Sequence, residues 1–457
     1  MTNLQSITDS VSRLTEERRF LSSVPALTDP GEGRGEEVLR LMQRCIAIAI
    51  AMILLPGMSS AANWPQFRGP STWGYTTEAN LPLTWNARTG EGILWTVALP
   101  KSDNAYSSPI AWGERVIITY ASNQPVEHHL LCFDRKNGKL LWNSSVPPGP
   151  WLLKDLRGGY AAPTPCTDGT RIFAVFGSAV IAALDSEGNI VWRRELQKYN
   201  FDVAMGSSPI LYRNTVILDC DQNNKTSSVI AFDAKTGDTR WEVKRPNVAF
   251  AHSTPAIVTV NGKKQMLVSA SNAIQGLDPD DGQTIWWCAA QGDASSPAFA
   301  MGFVFSDSGR GGKAVCVDAS GAGDVTRTHL KWTFPQIPEG LSSAICVSNS
   351  QGANASSNWW VFRTHNPDIL KCIDLKSGQL LFSERLAGVS TWASPFATPD
   401  GRIYFASAGK TYVIKAGPKL ELLATNDIGE ESRASAAVSD GNIFLRGNKN
   451  LYCIGTK

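Results

Sequence analysis

From residue 93 to the C-terminus, short apolar and β-branched runs alternate with clusters of Gly, Asp, Asn and Pro. Runs this short, bounded by turn residues, predict strands rather than helices. The pattern also repeats. LLCFDRKNGKLLW (130–142), VIAFDAKTGDTRW (229–241) and IQGLDPDDGQTIW (274–286) share an apolar run, an Asp, a turn with Gly and a Trp. Equivalent runs end at Asp134, Asp185, Asp233, Asp278, Asp318 and Asp374, with degenerate copies at TYVIK (411–415) and LYCIG (451–455). Trp142, Trp192, Trp241, Trp286, Trp332 and Phe382 follow the turns, and Leu422 is assigned that place in the degenerate copy.

A second marker interleaves with the first. It reads SSPI (107–110), PTPC (163–166), SSPI (207–210), STPA (253–256), SSPA (295–298), SSAI (342–345), ASPF (393–396) and SAAV (435–438). Successive markers lie about 41–56 residues apart, the period of a β-propeller blade. Each unit is expected to supply four strands, with Asp and Gly in the hairpin before the outermost one. The Trp is expected to cover the junction between blades. Eight units predict an all-β, eight-bladed propeller of four-stranded antiparallel blades. The last unit lacks an outermost strand, and ILWTVALP (93–100), with Trp95 in the repeat position, is expected to supply it. Seven blades is the alternative should the unit near 415–423 form no sheet.

The repeat resembles that of the PQQ-type, or quinoprotein-like, β-propellers, whose consensus runs close to LYALDxxTGxxxW. The opening NWPQFRGPSTWGYT (63–76) resembles the start of secreted bacterial propellers of this class. Taken as an enzyme, the resemblance implies a quinone in the funnel beside calcium and a catalytic Asp, covered by a disulfide between adjacent cysteines. No Cys-Cys pair occurs here, and no residue set matches the calcium site. Cofactors are therefore expected to be none, with PQQ and calcium only under the alternative of a PQQ-dependent dehydrogenase.

The front of the chain reads differently. Residues 1–41 are polar and charge-mixed, expected to be a leader or a misassigned start. From Met42, Arg44, the apolar Cys45–Leu55 run and Ser60-Ala61-Ala62 have the anatomy of a secretory signal peptide, 42–62. The apolar run is short for a bilayer span. The expected location is periplasmic or secreted, with no transmembrane segment after cleavage. Residues 63–92, with Trp64, Phe67, Arg68, Trp73 and Trp85, are expected to dock across the propeller formed by 93–457.

Chemistry narrows the function further. A net charge of +2 over 457 residues, 18% of them charged, leaves no basic footprint for nucleic acid. Cys132, Cys316, Cys372 and Cys453 share one repeat slot, held by Ala183, Ala231 and Gly276 elsewhere. That pattern predicts small buried thiols rather than disulfides. Five scattered His and no CxxC predict no metal site, and no hydrolase or phosphate-loop motif predicts a catalytic residue. DPDDG (278–282) reads as a repeat hairpin, and SNSQGANASSNWW (348–360) as an extended loop before the second strand of its blade.

Binding is then expected on the connections from each outermost strand to the next innermost strand, the least uniform parts of the repeat. Tyr106, Arg157, Tyr160, His252, Trp392 and Arg433 are the candidate ligand contacts. The expectation is a non-enzymatic scaffold binding an envelope protein or other ligand there. A polysaccharide-binding module is a further alternative, with a glycan on those aromatics.

Overall fold

The structure is a computed structural model. It describes residues 62–456 apart from 102–105, 154–158, 198–204, 224, 293, 310–311, 336–339, 350–357, 389–391 and 407–408. The signal-peptide and leader expectations therefore fall outside the described residues, except for Ala62.

Eight four-stranded sheets form an eight-bladed β-propeller. Blade 1 shows the plan: Ile110–Trp112 innermost, then Arg115–Asn123, Val126–Asp134 and Leu140–Val146 outermost, antiparallel throughout. Blades 2, 3, 5, 6 and 7 follow in sequence order. The degenerate unit does form a sheet, with Lys410–Lys415 paired to Glu421–Asp427, so eight blades stand. The ring closes where expected: Ile93–Ala98 pairs antiparallel with Asn450–Ile454 and completes blade 8.

Blade 4 departs from the plan. Its second and third strands run on without a break as Lys263–Leu277. Its rim strand, Thr284–Gln291, is met by Gly323–Asp324 in parallel. That segment comes from the enlarged hairpin of blade 5, which latches the neighbouring edge; such an edge would otherwise offer unpaired backbone groups.

The Asp-to-Trp motif is a clasp between blades. The Asp carboxylate caps its own hairpin: Asp134 Oδ1 accepts from the Lys136 and Asn137 amides at 2.9 and 3.1 Å, and Asp233 Oδ1 accepts from Lys235 and Thr236. The Gly takes positive φ and lies flat against the Trp of the preceding blade. A Cβ on Gly188 would fall 2.8 Å from the Trp142 ring, and one on Gly237 would fall 2.6 Å from Trp192. At three of these Trp residues the indole N–H completes the clasp by donating to the carbonyl just after the next blade's Asp, whereas Trp241 Nε1 meets no acceptor among the described residues. Trp142 reaches Ser186 at 3.0 Å, Trp192 reaches Ala234 at 3.1 Å, and Trp332 reaches Leu375 at 2.9 Å. In blade 4 Trp286 acts through a relay, donating to Gln265 Oε1, whose amide donates to Ala319 O.

The same geometry explains the cysteines. Cys132 stands opposite Trp142, Ala183 opposite Trp192, Gly276 opposite Trp286 and Cys372 opposite Phe382. An indole leaves room across the strand only for a small side chain. Register corrects one assignment: Val413 faces Ala424, so Ala424 rather than Leu422 holds the aromatic position of blade 7. There the sizes are exchanged, a larger residue opposite a smaller one. All eight cysteines from Cys132 to Cys453 are free and buried.

Residues 64–78 touch every blade. Trp64 exchanges backbone hydrogen bonds with Ala111 of blade 1, Pro65 O accepts from Thr167 of blade 2, and Gln66 Oε1 accepts from Leu211 of blade 3. Thr72 and Trp73 bond Ile257 of blade 4, and Gly74 bonds Ala397 of blade 7. Glu78 accepts the Asp440 amide of blade 8 at 2.7 Å. Arg68 supplies the remaining two blades, donating to Pro297 O at 3.3 Å and Ala344 O at 2.7 Å. Each partner lies in an innermost strand or directly beside one, so a single segment that bonds all eight blades crosses the central channel. Of the aromatics expected to dock, Trp64 in this segment and Trp85 beyond it are buried, and Phe67 and Trp73 are half-buried.

Candidate functional site

The hydroxyl-rich marker forms a closed ring. Its second residue in each blade accepts, through the side-chain oxygen, the backbone N–H of the second residue in the preceding blade. Ser108 N–H donates to Thr164, Thr164 to Ser208, Ser208 to Thr254 and Thr254 to Ser296, all at 2.9–3.0 Å. Ser296 continues to Ser343 and Ser343 to Ser394, both at 3.0 Å, and Ser394 to Ser435 at 2.8 Å. Ser435 N–H returns to Ser108 at 3.0 Å and completes the circle. The ring moves the blade 8 marker back by one residue: the equivalent quartet is 434–437, ASAA, because Ser435 holds the second position.

One residue before each quartet stands a second circle around the open mouth of the channel. It holds Tyr106, Ala162, Gly206, His252, Ala294, Leu341, Trp392 and Arg433. Four of the six candidate residues occupy this circle, and three of them sit on the consecutive blades 7, 8 and 1. There the Arg433 guanidinium lies 5.3 Å from the Trp392 ring centroid and 5.1 Å from that of Tyr106. Glu431 steadies it, accepting from Nε at 2.9 Å. Trp392 keeps 44% exposure. A cation between two aromatic faces is held in place while its outward N–H groups stay available.

His252 lies across the circle from Arg433, its ring edge-on to Phe250 at 5.8 Å. Gly206 is needed beside it, since a Cβ there would fall 2.7 Å from the His252 Cβ. Tyr160 does not share this circle. It is 2% exposed, its hydroxyl accepts the Leu153 amide at 2.9 Å, and its ring packs 5.6 Å from His128. The physical reason is position: Tyr160 comes three residues before its quartet, where the chain turns inward between blades 1 and 2. Arg157 lies outside the described residues.

Below the mouth are charges that the sequence did not single out. Arg245 is buried between Asp219 and Asp221, at 3.1 and 2.6 Å, and donates from Nε to Gln275 of blade 4 at 2.6 Å. Burial, with Asp221 alongside, pushes the Asp219 carboxyl well above the usual range. Arg363 pairs with Asp307 across blades 6 and 5. Each of these two cations has a carboxylate partner, while Arg245 Nη2 and Arg363 Nε and Nη1 meet no acceptor among the described residues. Arg68 and Arg446 are different, because neither forms an ion pair with a described residue. Burial lowers both guanidinium pKa values to about 10.

Among the described residues no three His, Cys, Asp or Glu side chains converge on a cation position. The cysteines are dispersed in separate blades, and the mouth circle carries Arg, His and aromatics rather than carboxylates.

A family model described as outer membrane protein assembly factor BamB matches residues 126–379. The chain belongs to this family. BamB from Moraxella catarrhalis is similar in structure, with 12% identity, a TM-score of 0.55, and coverage of 80% of this chain and 97% of that one. A europium-containing methanol dehydrogenase is similar at 10% identity and a TM-score of 0.63, covering 86% and 98%. A computationally designed protein, Ika8, is similar at 13% identity and a TM-score of 0.54, covering 80% and 99%. No curated protein matches the sequence. At such identities, a BamB, a dehydrogenase and a designed protein share the propeller and nothing more specific. Among the described residues no helix is long and apolar enough to cross a membrane.

Proposed function

We propose that this BamB-family chain is an exported, non-enzymatic scaffold of the cell envelope that binds a protein partner at the open mouth of the channel. The observation that carries this reading is Arg433 held between Trp392 and Tyr106 on three consecutive blades. Tryptophan, tyrosine and arginine are the side chains that dominate protein interfaces when gathered on a rigid support. Each of these three comes from the same register of a different blade, so their spacing is set by the ring rather than by one loop. The partner feature they suit is a carboxylate beside an apolar side chain: Arg433 would take the charge and Trp392 the apolar surface. Membership of the BamB family supports an envelope setting.

The test is retention of one identified envelope protein by the full chain and by an Arg433→Ala/Trp392→Ala variant. The proposal expects loss of that protein with the variant while thermal melting is unchanged. Equal retention by both would place the binding surface elsewhere. Turnover of alcohols or sugars with added PQQ and calcium would replace the scaffold reading with an enzyme.

A further inference from the structure

The eight hydroxyls of the channel ring are only half engaged. Each accepts one backbone N–H, as described, and none donates a hydrogen bond to another described group. Eight O–H donors thus remain around one axis. All eight residues keep a small exposure, from 2% at Thr164 to 6% at Ser435, which places them at the edge of a narrow lumen rather than in a sealed core. A lumen lined by donors calls for an acceptor.

Two guanidiniums add charge to the same ring. Arg68 donates to the carbonyls of Pro297 and Ala344, the residues directly after ring members Ser296 and Ser343. Its Nε–H is buried with no acceptor among the described residues. Arg446 donates to the carbonyl and hydroxyl of Ser107, directly before ring member Ser108, and to Thr119 O at 2.8 Å. Both side chains are buried, both meet neutral oxygens, and no carboxylate of a described residue is in ion-pair range of either. Buried cations are ordinarily matched by an anion.

We propose that the ring is a binding site for one tetrahedral oxyanion of the phosphate or sulfate class, entered from the open mouth of the channel that residues 64–78 cross. An oxyanion of this class presents only acceptors to the ring, the complement of eight O–H donors. None of Tyr106, Trp392 or Arg433 belongs to the site, so anion binding is measured on the chain without a mouth partner.

Calorimetric titration of the full chain with inorganic phosphate, then sulfate, tests the proposal, with selenate in crystals to locate the anion by anomalous scattering. The expected result is one anion per chain inside the ring, bound at least about tenfold more weakly by Arg446→Gln and by Arg68→Gln. Because Arg68→Gln can unseat residues 64–78, Thr254→Val provides a second reading that leaves both cations in place and should also weaken binding. Glycerol 3-phosphate distinguishes the source. Binding as tight as inorganic phosphate would mean the ring takes the end group of a larger molecule, whereas binding of inorganic phosphate alone would mean a free ion; both support the site. An anomalous peak without calorimetric binding (an adventitious ion only), a lumen holding water alone, or equal affinity in all variants would overturn it.

Discussion

Trp95, on the first strand of the propeller, stands directly opposite Cys453, on the last. Its indole N–H crosses to blade 1 and donates to Arg135 O at 2.9 Å, while Gly138 lies against its ring. Every element of the clasp between other blades is therefore present where the two ends of the chain meet. The junction repeats the pattern seen at Trp142, Trp192 and Trp332, while the sheet that carries Trp95 is completed by residues more than 350 positions apart in sequence. Replacing Trp95 by Ala should cost about 3–5 kcal/mol, the range for a buried large aromatic. Trp142→Ala should cost less, because Trp142 is only half-buried. Urea unfolding of the two variants measures this; equal losses would mean that closure is no more dependent on its indole than an internal junction.

Gly237 and Gly113 separate two causes of glycine's requirement. Both have positive φ, 72° and 54°. A Cβ on Gly237 would strike Trp192 at 2.6 Å, whereas one on Gly113 would meet nothing within 4 Å. Gly113→Ala should cost about 1–2 kcal/mol from backbone strain alone. Gly237→Ala should exceed it, since the indole must also move. Matching losses in thermal melts would show that the Trp-Gly contact contributes little.

Thr254 tests the ring itself. Its hydroxyl accepts the Ser208 amide, so Thr254→Val leaves a buried N–H without an acceptor and should cost about 1–3 kcal/mol. Thr254→Ser keeps the oxygen and matches the residue found in six other blades, so it should lie within about 1 kcal/mol of wild type. Comparison of the two by denaturant unfolding isolates the hydroxyl from the side-chain volume.

The hairpin aspartates set an acid limit. The Asn189 side chain, with the turn amides, holds the Asp185 carboxyl below its usual range, and Arg240, with the Lys235 and Thr236 amides, does the same for Asp233. A carboxyl depressed in the folded state binds fewer protons there than when unfolded. Its stabilisation is complete above the unfolded pKa near about 3.9 and is lost as pH falls through the lower folded value. Thermal stability should therefore decline on acidification below about pH 4, and Asp185→Asn should reduce that slope. An unchanged slope would place the acid sensitivity elsewhere.

The thiols should be inert in the native state. Burial pushes Cys132, Cys346 and Cys453 up to about 12 and Cys288 up to about 11, far from the thiolate that reacts. An aromatic disulfide reagent should label the eight propeller cysteines only after guanidinium is added. Prompt labelling of the folded protein would show that blades open locally.

Much of this was readable in the chain. The Asp-Gly-Trp spacing named the blades, and the unpaired last unit with Trp95 near the front named the closure, because both are local or periodic signals that sheet geometry imposes on sequence. The small residue at Cys132, Ala183 or Gly276 was readable as a buried slot, though the reason for its size was not. That reason is the indole directly across the strand, which depends on the bulge between the third and outermost strands. The same bulge moved the degenerate aromatic position from Leu422 to Ala424.

Of the candidate contacts, Tyr106, His252, Trp392 and Arg433 share a mouth position that sequence reasoning reached through loop irregularity. Tyr160 was chosen by the same rule and lies inside. Loop membership does not say which way a side chain turns, and burial of Tyr160 follows from packing against His128 of another strand.

The repeat period, the strand order and the closing strand were determined by the sequence alone, since each depends on patterns within one or two units. Only the tertiary structure decided that eight separate hydroxyls form one ring, that residues 64–78 reach all eight blades, and that Arg68 and Arg446 are buried with no carboxylate partner among the described residues. These features join residues separated by one to eight blade lengths, and no local pattern encodes a contact that exists only once the circle has closed.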